Sequence, residues 1–162
     1  MLRYKSYQQV FSEVPDEITL YIPLTNCQIR CSGCNSKWLW KDAGYEMNSS
    51  ILEDLISKNQ GITCVCIGGG ESDFSTLNSL FETVKSLDLK TCWYTGMDKI
   101  PKDIDLRWLD FIKIGPYTGI PINEKGTNQR FYIVEKKCLK DKIVHLKLTD
   151  ITHVFFSKHI KS

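Results

Sequence analysis

The chain has 162 residues, 42% of them hydrophobic and 25% charged, which is the composition of an ordinary globular protein and enough length for a single domain over 1–162. Lys and Arg number 21 against 19 for Asp and Glu, and an excess of +2 is too small to indicate nucleic acid or an anionic membrane surface as partner. No window approaches the roughly 18 uninterrupted apolar residues of a membrane span, and the N-terminal stretch lacks a signal-peptide h-region, so a cytoplasmic protein is expected.

The first strong element is "EITLYIPL" at 17–24, whose β-branched and aromatic residues end at a proline and predict a strand. Directly after it, "NCQIRCSGC" sets Cys27, Cys31 and Cys34 in the spacing Cys-x3-Cys-x2-Cys. "SILEDLISK" follows with Ser50 and Glu53 in capping-box spacing and predicts a helix over 50–59. "ITCVCI" at 62–67 is the continuous apolar run of a strand buried on both faces, and it empties into the glycine loop "GGGES". Cys64 and Cys66 lie in that run and are expected on opposite faces, so that only one of them could join the cysteine loop.

Leu77, Leu80, Phe81, Val84 and Leu87 predict an amphipathic helix over 75–87, capped by Ser75 with Asp73 nearby. Strands are expected at 89–96 and 111–117, with "IDLRWLD" between them as a short helix or turn. Alternation of strand and helix argues for βαβ units on a parallel sheet. Beyond Pro116 the pattern changes, and "RFYIVE", "KIVHLKL" and "ITHVFF" are expected as short strands of an antiparallel appendix. The basic run "EKKCLKDK" at 135–142 is broken by Glu135 and Asp141 and is expected to be a solvated turn.

Seven cysteines form an odd set in a chain long enough to fold without staples, which points to metal binding more than to a disulfide framework. Two chemistries fit three closely spaced thiolates. A closed zinc site needs one further ligand, and His145, His153 and His159 lack the close pairing that zinc ligands show. A [4Fe–4S] cluster held by three thiolates instead leaves one iron open to a substrate or cofactor. The glycine loop can let a ligand approach the backbone closely, with Glu71 offering a negative charge to an ammonium group.

Set after the first strand of an α/β run, the cysteine spacing resembles the signature of the radical S-adenosylmethionine superfamily, and Gly69-Gly70-Glu71 resembles its "GGE" segment. The resemblance implies that Cys27, Cys31 and Cys34 hold a [4Fe–4S] cluster, and that Gly69, Gly70 and Glu71 receive the methionyl amino group. Thr95 with Gly96, and Lys113 with Gly115, close the third and fourth strands at the same edge and are expected as further cofactor contacts. The implied fold is a partial (βα) barrel with mostly parallel strands and a short antiparallel C-terminal appendix.

Within the superfamily, "CSGCNSKWLW", "CIGGGES", "CWYTG", "FIKIGPY" and "TNQRFY" resemble the activating protein of the anaerobic (class III) ribonucleoside-triphosphate reductase. This resemblance implies installation of a glycyl radical on that reductase, with a flavodoxin- or ferredoxin-type electron donor, and brings Asn128, Gln129 and Arg130 in as cofactor or partner contacts. Many glycyl-radical activases carry an aromatic residue where this chain has Gly33, which implies either that adenine packs elsewhere, on Trp38 or Tyr94, or that the loop takes a different conformation. Other readings are an activase of a different glycyl-radical enzyme, a radical enzyme of the 7-carboxy-7-deazaguanine synthase type, and a non-catalytic zinc- or cluster-binding interaction module.

Overall fold

The apolar run read at 62–67 becomes the strand on which the central sheet forms, Cys64–Gly68, and every one of its positions is buried. In a computed structural model, which describes residues 1–157, the strands are β1 (Leu2–Tyr4), β2 (Gln8–Val10), β3 (Thr19–Pro23), β4 (Tyr45–Met47), β5 (Cys64–Gly68), β6 (Lys90–Tyr94), β7 (Phe111–Ile114), β8 (Arg130–Leu139) and β9 (Lys142–Asp150). The helices are α1 (Ser49–Lys58), α2 (Phe74–Ser86) and the short α3 (His153–Ser157).

Seven strands form one sheet in the order β2-β3-β5-β6-β7-β8-β9, and β1 pairs with β4 apart from it. The four central strands β3, β5, β6 and β7 run parallel, and β2, β8 and β9 add antiparallel flanks. The expected partial (βα) barrel is therefore corrected to a mixed α/β sheet. A barrel wall needs a helix after each parallel strand, yet β6 and β7 are joined through a 3-10 turn at Leu106–Trp108, and no helix separates β7 from β8.

Leu52 and Leu55 of α1 and Leu77, Leu80, Phe81 and Val84 of α2 pack on one face of the sheet with Leu20, Ile22, Val65, Ile67, Trp93 and Ile112. The opposite face carries Cys64, Cys66, Cys92, Phe111 and Phe131, with Val14 and Phe155 laid against it. Side chains alternate along a strand with period two. Cys64 and Cys66 therefore share a face, contrary to the expectation that they oppose each other, and both are fully buried beside Cys92.

The helix ends differ from the expected caps. Asn48, not Ser50, caps α1 by accepting from Ile51 N–H at 3.0 Å, and Asp73, not Ser75, caps α2 by accepting from Thr76 N–H at 3.0 Å. "ITHVFF" is the second departure: Ile151 N–H bonds Phe131 C=O at 2.8 Å, and the chain then turns into α3 rather than a strand. Lys140 and Asp141 both adopt positive φ, 51° and 63°, which is the two-residue turn that joins β8 to β9 as a hairpin.

Candidate functional site

Loops leaving the carboxyl ends of β3, β5, β6 and β7 meet around a cavity of about 560 Å³, the position at which open parallel sheets bind ligands. Its walls include Cys27, Cys31 and Cys34 from the loop after β3, Gly68 and Gly69 from the loop after β5, Thr95 and Gly96 after β6, and Lys113, Gly115 and Gln129 beside β7.

The cysteine loop is held at both flanks. Asn26 N–H donates to Lys41 C=O at 3.0 Å and Cys27 N–H to Leu39 C=O at 2.9 Å, so the loop returns beside its own exit. Gly33 N–H reaches Tyr117 C=O at 3.3 Å, and a Cβ at position 33 would lie 2.3 Å from the Gly119 amide nitrogen. Gly33 is thus the point where the segment 117–119 lies directly on the cysteine loop, and an aromatic side chain has no room there. At Gly96 a Cβ would meet Ile29 Cγ2 at 2.6 Å and Cys31 Sγ at 3.3 Å, so this glycine makes space for the loop as well.

The three thiols share the cavity without forming a ready metal centre. Among the described residues no group of three or more His, Cys, Asp or Glu side chains is disposed to hold a metal ion. The expected metal-binding, iron–sulfur and radical S-adenosylmethionine character is corrected accordingly: the arrangement of these side chains does not support it. The backbone gives the reason: Cys27 is tied to the 39–41 segment, Cys31 lies against Gly96, and Cys34 sits in a turn where its sulfur accepts from Ser36 N–H at 3.4 Å. Burial pushes the Cys27 thiol above its ordinary pKa. Cys64, Cys66 and Cys92 lie on the inner sheet face, Cys138 is exposed on the β8–β9 hairpin, and His159 lies outside the described residues.

Gly69 and Gly70 take φ of +86° and +88°, a region open to glycine at little cost. Gly69 donates its N–H to Tyr94 C=O at 2.9 Å, and its carbonyl accepts from the buried Trp93 indole at 2.7 Å. Gly70 and Glu71 stand behind the cavity wall rather than on it. A Cβ on Gly70 would press on Leu24 and Leu77 at 3.1 Å, and Glu71 reaches the site through Thr95, whose hydroxyl donates to Oε1 at 2.8 Å.

The other carboxylate oxygen of Glu71, Oε2, is buried without a hydrogen-bond partner. Burial raises the Glu71 pKa, and the N–H groups of Glu71 and Gly96 with the Thr95 hydroxyl offset only part of that. A carboxyl group whose folded pKa is raised favours the folded state below its unfolded pKa, and that contribution is lost as pH rises through the folded value. Above the unfolded value Glu71 therefore costs stability, by burying a charge or by holding a proton that the unfolded chain would release. Glu71→Gln is expected to raise the unfolding free energy at pH 7 by roughly 1 kcal/mol and to leave it little changed in mild acid, read from thermal melts at the two pH values.

Lys113 points its ammonium group at the face of Tyr94, 3.7 Å from the ring centroid, and desolvation lowers its pKa. Tyr94 in turn donates its hydroxyl to the Glu13 carbonyl, and Tyr21 and Glu13 complete the cavity floor. Glu13 and Tyr21 went unread in the sequence because no local pattern marks them; they arrive from the segment before β3 and from its inward face. Of the two aromatics considered for adenine, Tyr94 lines the cavity, whereas Trp38 is 44% exposed on the 3-10 turn Lys37–Trp40.

In the "TNQR" segment only Gln129 lines the cavity. Asn128 donates from Nδ2 to Pro116 C=O at 3.3 Å, which ties the loop back on itself, and Arg130 is exposed at the start of β8 opposite Ile114. Among the described residues no helix is long and apolar enough to cross a membrane. Compared with models of known protein families and with curated proteins, the chain matches none.

Proposed function

We propose that the chain is a radical S-adenosylmethionine activase that installs a glycyl radical on an anaerobic ribonucleoside-triphosphate reductase, with electrons from a flavodoxin- or ferredoxin-type donor. The observation that carries this reading is the meeting of three cysteines with Gly69, Thr95 and Lys113 around one cavity at the carboxyl edge of four parallel strands. Three thiols are a donor set suited to iron and sulfide. Cys27, Cys31 and Cys34 would hold the cluster. When bound, the reduced cluster would supply the electron for reductive cleavage of S-adenosylmethionine, the source of the radical passed to a glycine of the reductase.

The chain's own residues bind and orient. Glu71, with a buried oxygen lacking a partner, offers acceptor capacity to an ammonium group approaching past Gly69 and Thr95. Lys113, on the strand beside Thr95, would present positive charge to a carboxylate, and the Tyr94 ring against it offers a flat apolar surface.

The test is anaerobic reconstitution with iron and sulfide, reduction, and addition of S-adenosylmethionine. Formation of 5′-deoxyadenosine is expected; bound zinc without that product overturns the reading. Cys31→Ser is expected to lose the iron, while Cys138→Ser, altered on the exposed hairpin, retains it. Equal iron content in the two variants would show that the ligand assignment is wrong.

A further inference from the structure

The hairpin formed by β8 and β9 outruns the sheet that supports it. β7 pairs with β8 from Arg130 to Ile133, Val134 and Leu146 still pack on the core, and beyond them β8 and the facing part of β9 extend as a two-stranded arm, away from the end of the sheet that carries the cavity. A two-stranded hairpin without further support is marginal in water. This arm also exposes large apolar side chains: Leu139 is 64% exposed and Val144 55%, with Ile143 and Leu148 also open. Among the described residues β9 is the last strand of the sheet, and no strand pairs with the backbone groups along its outer edge.

Charge is concentrated on the same arm. Residues 135–147 carry five lysines against Glu135 and Asp141; Lys136 turns back to Leu109 C=O and Asp110, which leaves the exposed charges of the arm, Lys137, Lys140, Lys142 and Lys147 against those two acids, at net +2. We infer that the arm is a docking surface for an extended acidic segment of a partner protein, which adds as a strand along the free edge of β9.

The observations separate this occupant from others. Two arms with an excess of lysine repel, which opposes pairing of one such edge with its copy. Nucleic acid is disfavoured because 135–147 holds no Arg, Trp, Tyr or Phe for stacking or bidentate contacts, and because exposed leucine and valine do not suit phosphates. An acidic strand with alternating apolar residues satisfies the lysines, the open edge and the apolar side chains together. This inference goes beyond the cofactor chemistry proposed above and does not depend on it.

The experiment uses the full chain and a labelled peptide that alternates glutamate with valine, with fluorescence anisotropy as readout and neither iron nor S-adenosylmethionine present. Binding is expected in low salt and should weaken roughly tenfold at about 0.3 M salt. The double variant Lys137→Glu/Lys142→Glu, at exposed positions, should weaken it at least comparably while its melting temperature stays unchanged. A version with lysine in place of glutamate, and one with a central proline that cannot complete the strand pairing, should not bind. The inference is overturned by absence of binding to the acidic peptide, by equal binding of the lysine or proline version, by tighter binding of a single-stranded oligonucleotide, or by a dimer at the working concentration.

Discussion

Gly33→Ala is expected to loosen the segment 117–119 from the cysteine loop and to lower the unfolding free energy by about 1–3 kcal/mol, the usual cost of forcing atoms into a packed contact. The new Cβ would stand 2.3 Å from the Gly119 nitrogen and 2.5 Å from the Thr118 carbonyl carbon. Both are backbone atoms, which cannot swing aside as the end of a side chain can, so one of the two loops has to move. Movement forfeits the hydrogen bond from Gly33 N–H to Tyr117 C=O. Faster amide exchange over 117–119, with the core of β5 and β6 still protected, would confirm that the effect is local. Unchanged exchange in those residues would refute the contact.

Asp110→Ala is expected to cost about 3 kcal/mol, because one carboxylate organises the junction between α2, β6 and β8. Its Oδ2 accepts from Lys85 Nζ at 2.9 Å and from Thr91 N–H at 2.9 Å, and its Oδ1 lies 3.5 Å from Lys136 Nζ. Removing the carboxylate leaves two ammonium groups facing each other in a half-buried space and an amide without its acceptor. Burial would by itself raise the Asp110 pKa, but the Lys85 hydrogen bond, the Thr91 N–H and the Lys136 charge together hold it below the usual carboxylate range. A depressed folded pKa means that the stabilisation is present above the unfolded value near 3.9 and is lost as pH falls through the folded one. The wild-type chain should therefore lose stability in that acid range more steeply than Asp110→Ala, and denaturant melts taken across it would reveal the difference. Parallel pH profiles for the two proteins would remove Asp110 from this role.

The long helices were legible because their signal is local. Leu77, Leu80, Phe81 and Val84 recur at helical spacing, and the same four side chains pack on the sheet. Their caps were harder to read: Asn48 and Ser50, or Asp73 and Ser75, are both acceptable caps by residue type, and the choice depends on where the preceding loop releases the backbone. Strands β1, β2 and β4, three residues each, were invisible because so short a run shows no periodicity. "ITHVFF" has strand composition, yet the Phe155 ring lies on Phe131 with centroids 5.0 Å apart, and that contact forms with the segment wound as a helix.

What the amino-acid sequence determined by itself was the order of the central strands and helices and the chemistry of the loops between them. Both are written in neighbouring residues, through periodicity, glycine and proline punctuation, and cysteine spacing. Tertiary structure alone decided that the sheet stays open instead of curling into a barrel wall, since this depends on which strands flank the parallel core and on a 3-10 turn standing where another helix was needed. It alone brought Glu13 and Tyr21 to the cavity that Cys27, Cys31 and Cys34 share. Contacts between residues so far apart in the chain follow from strand register and from which face of the sheet each side chain takes, and no short stretch of sequence contains either.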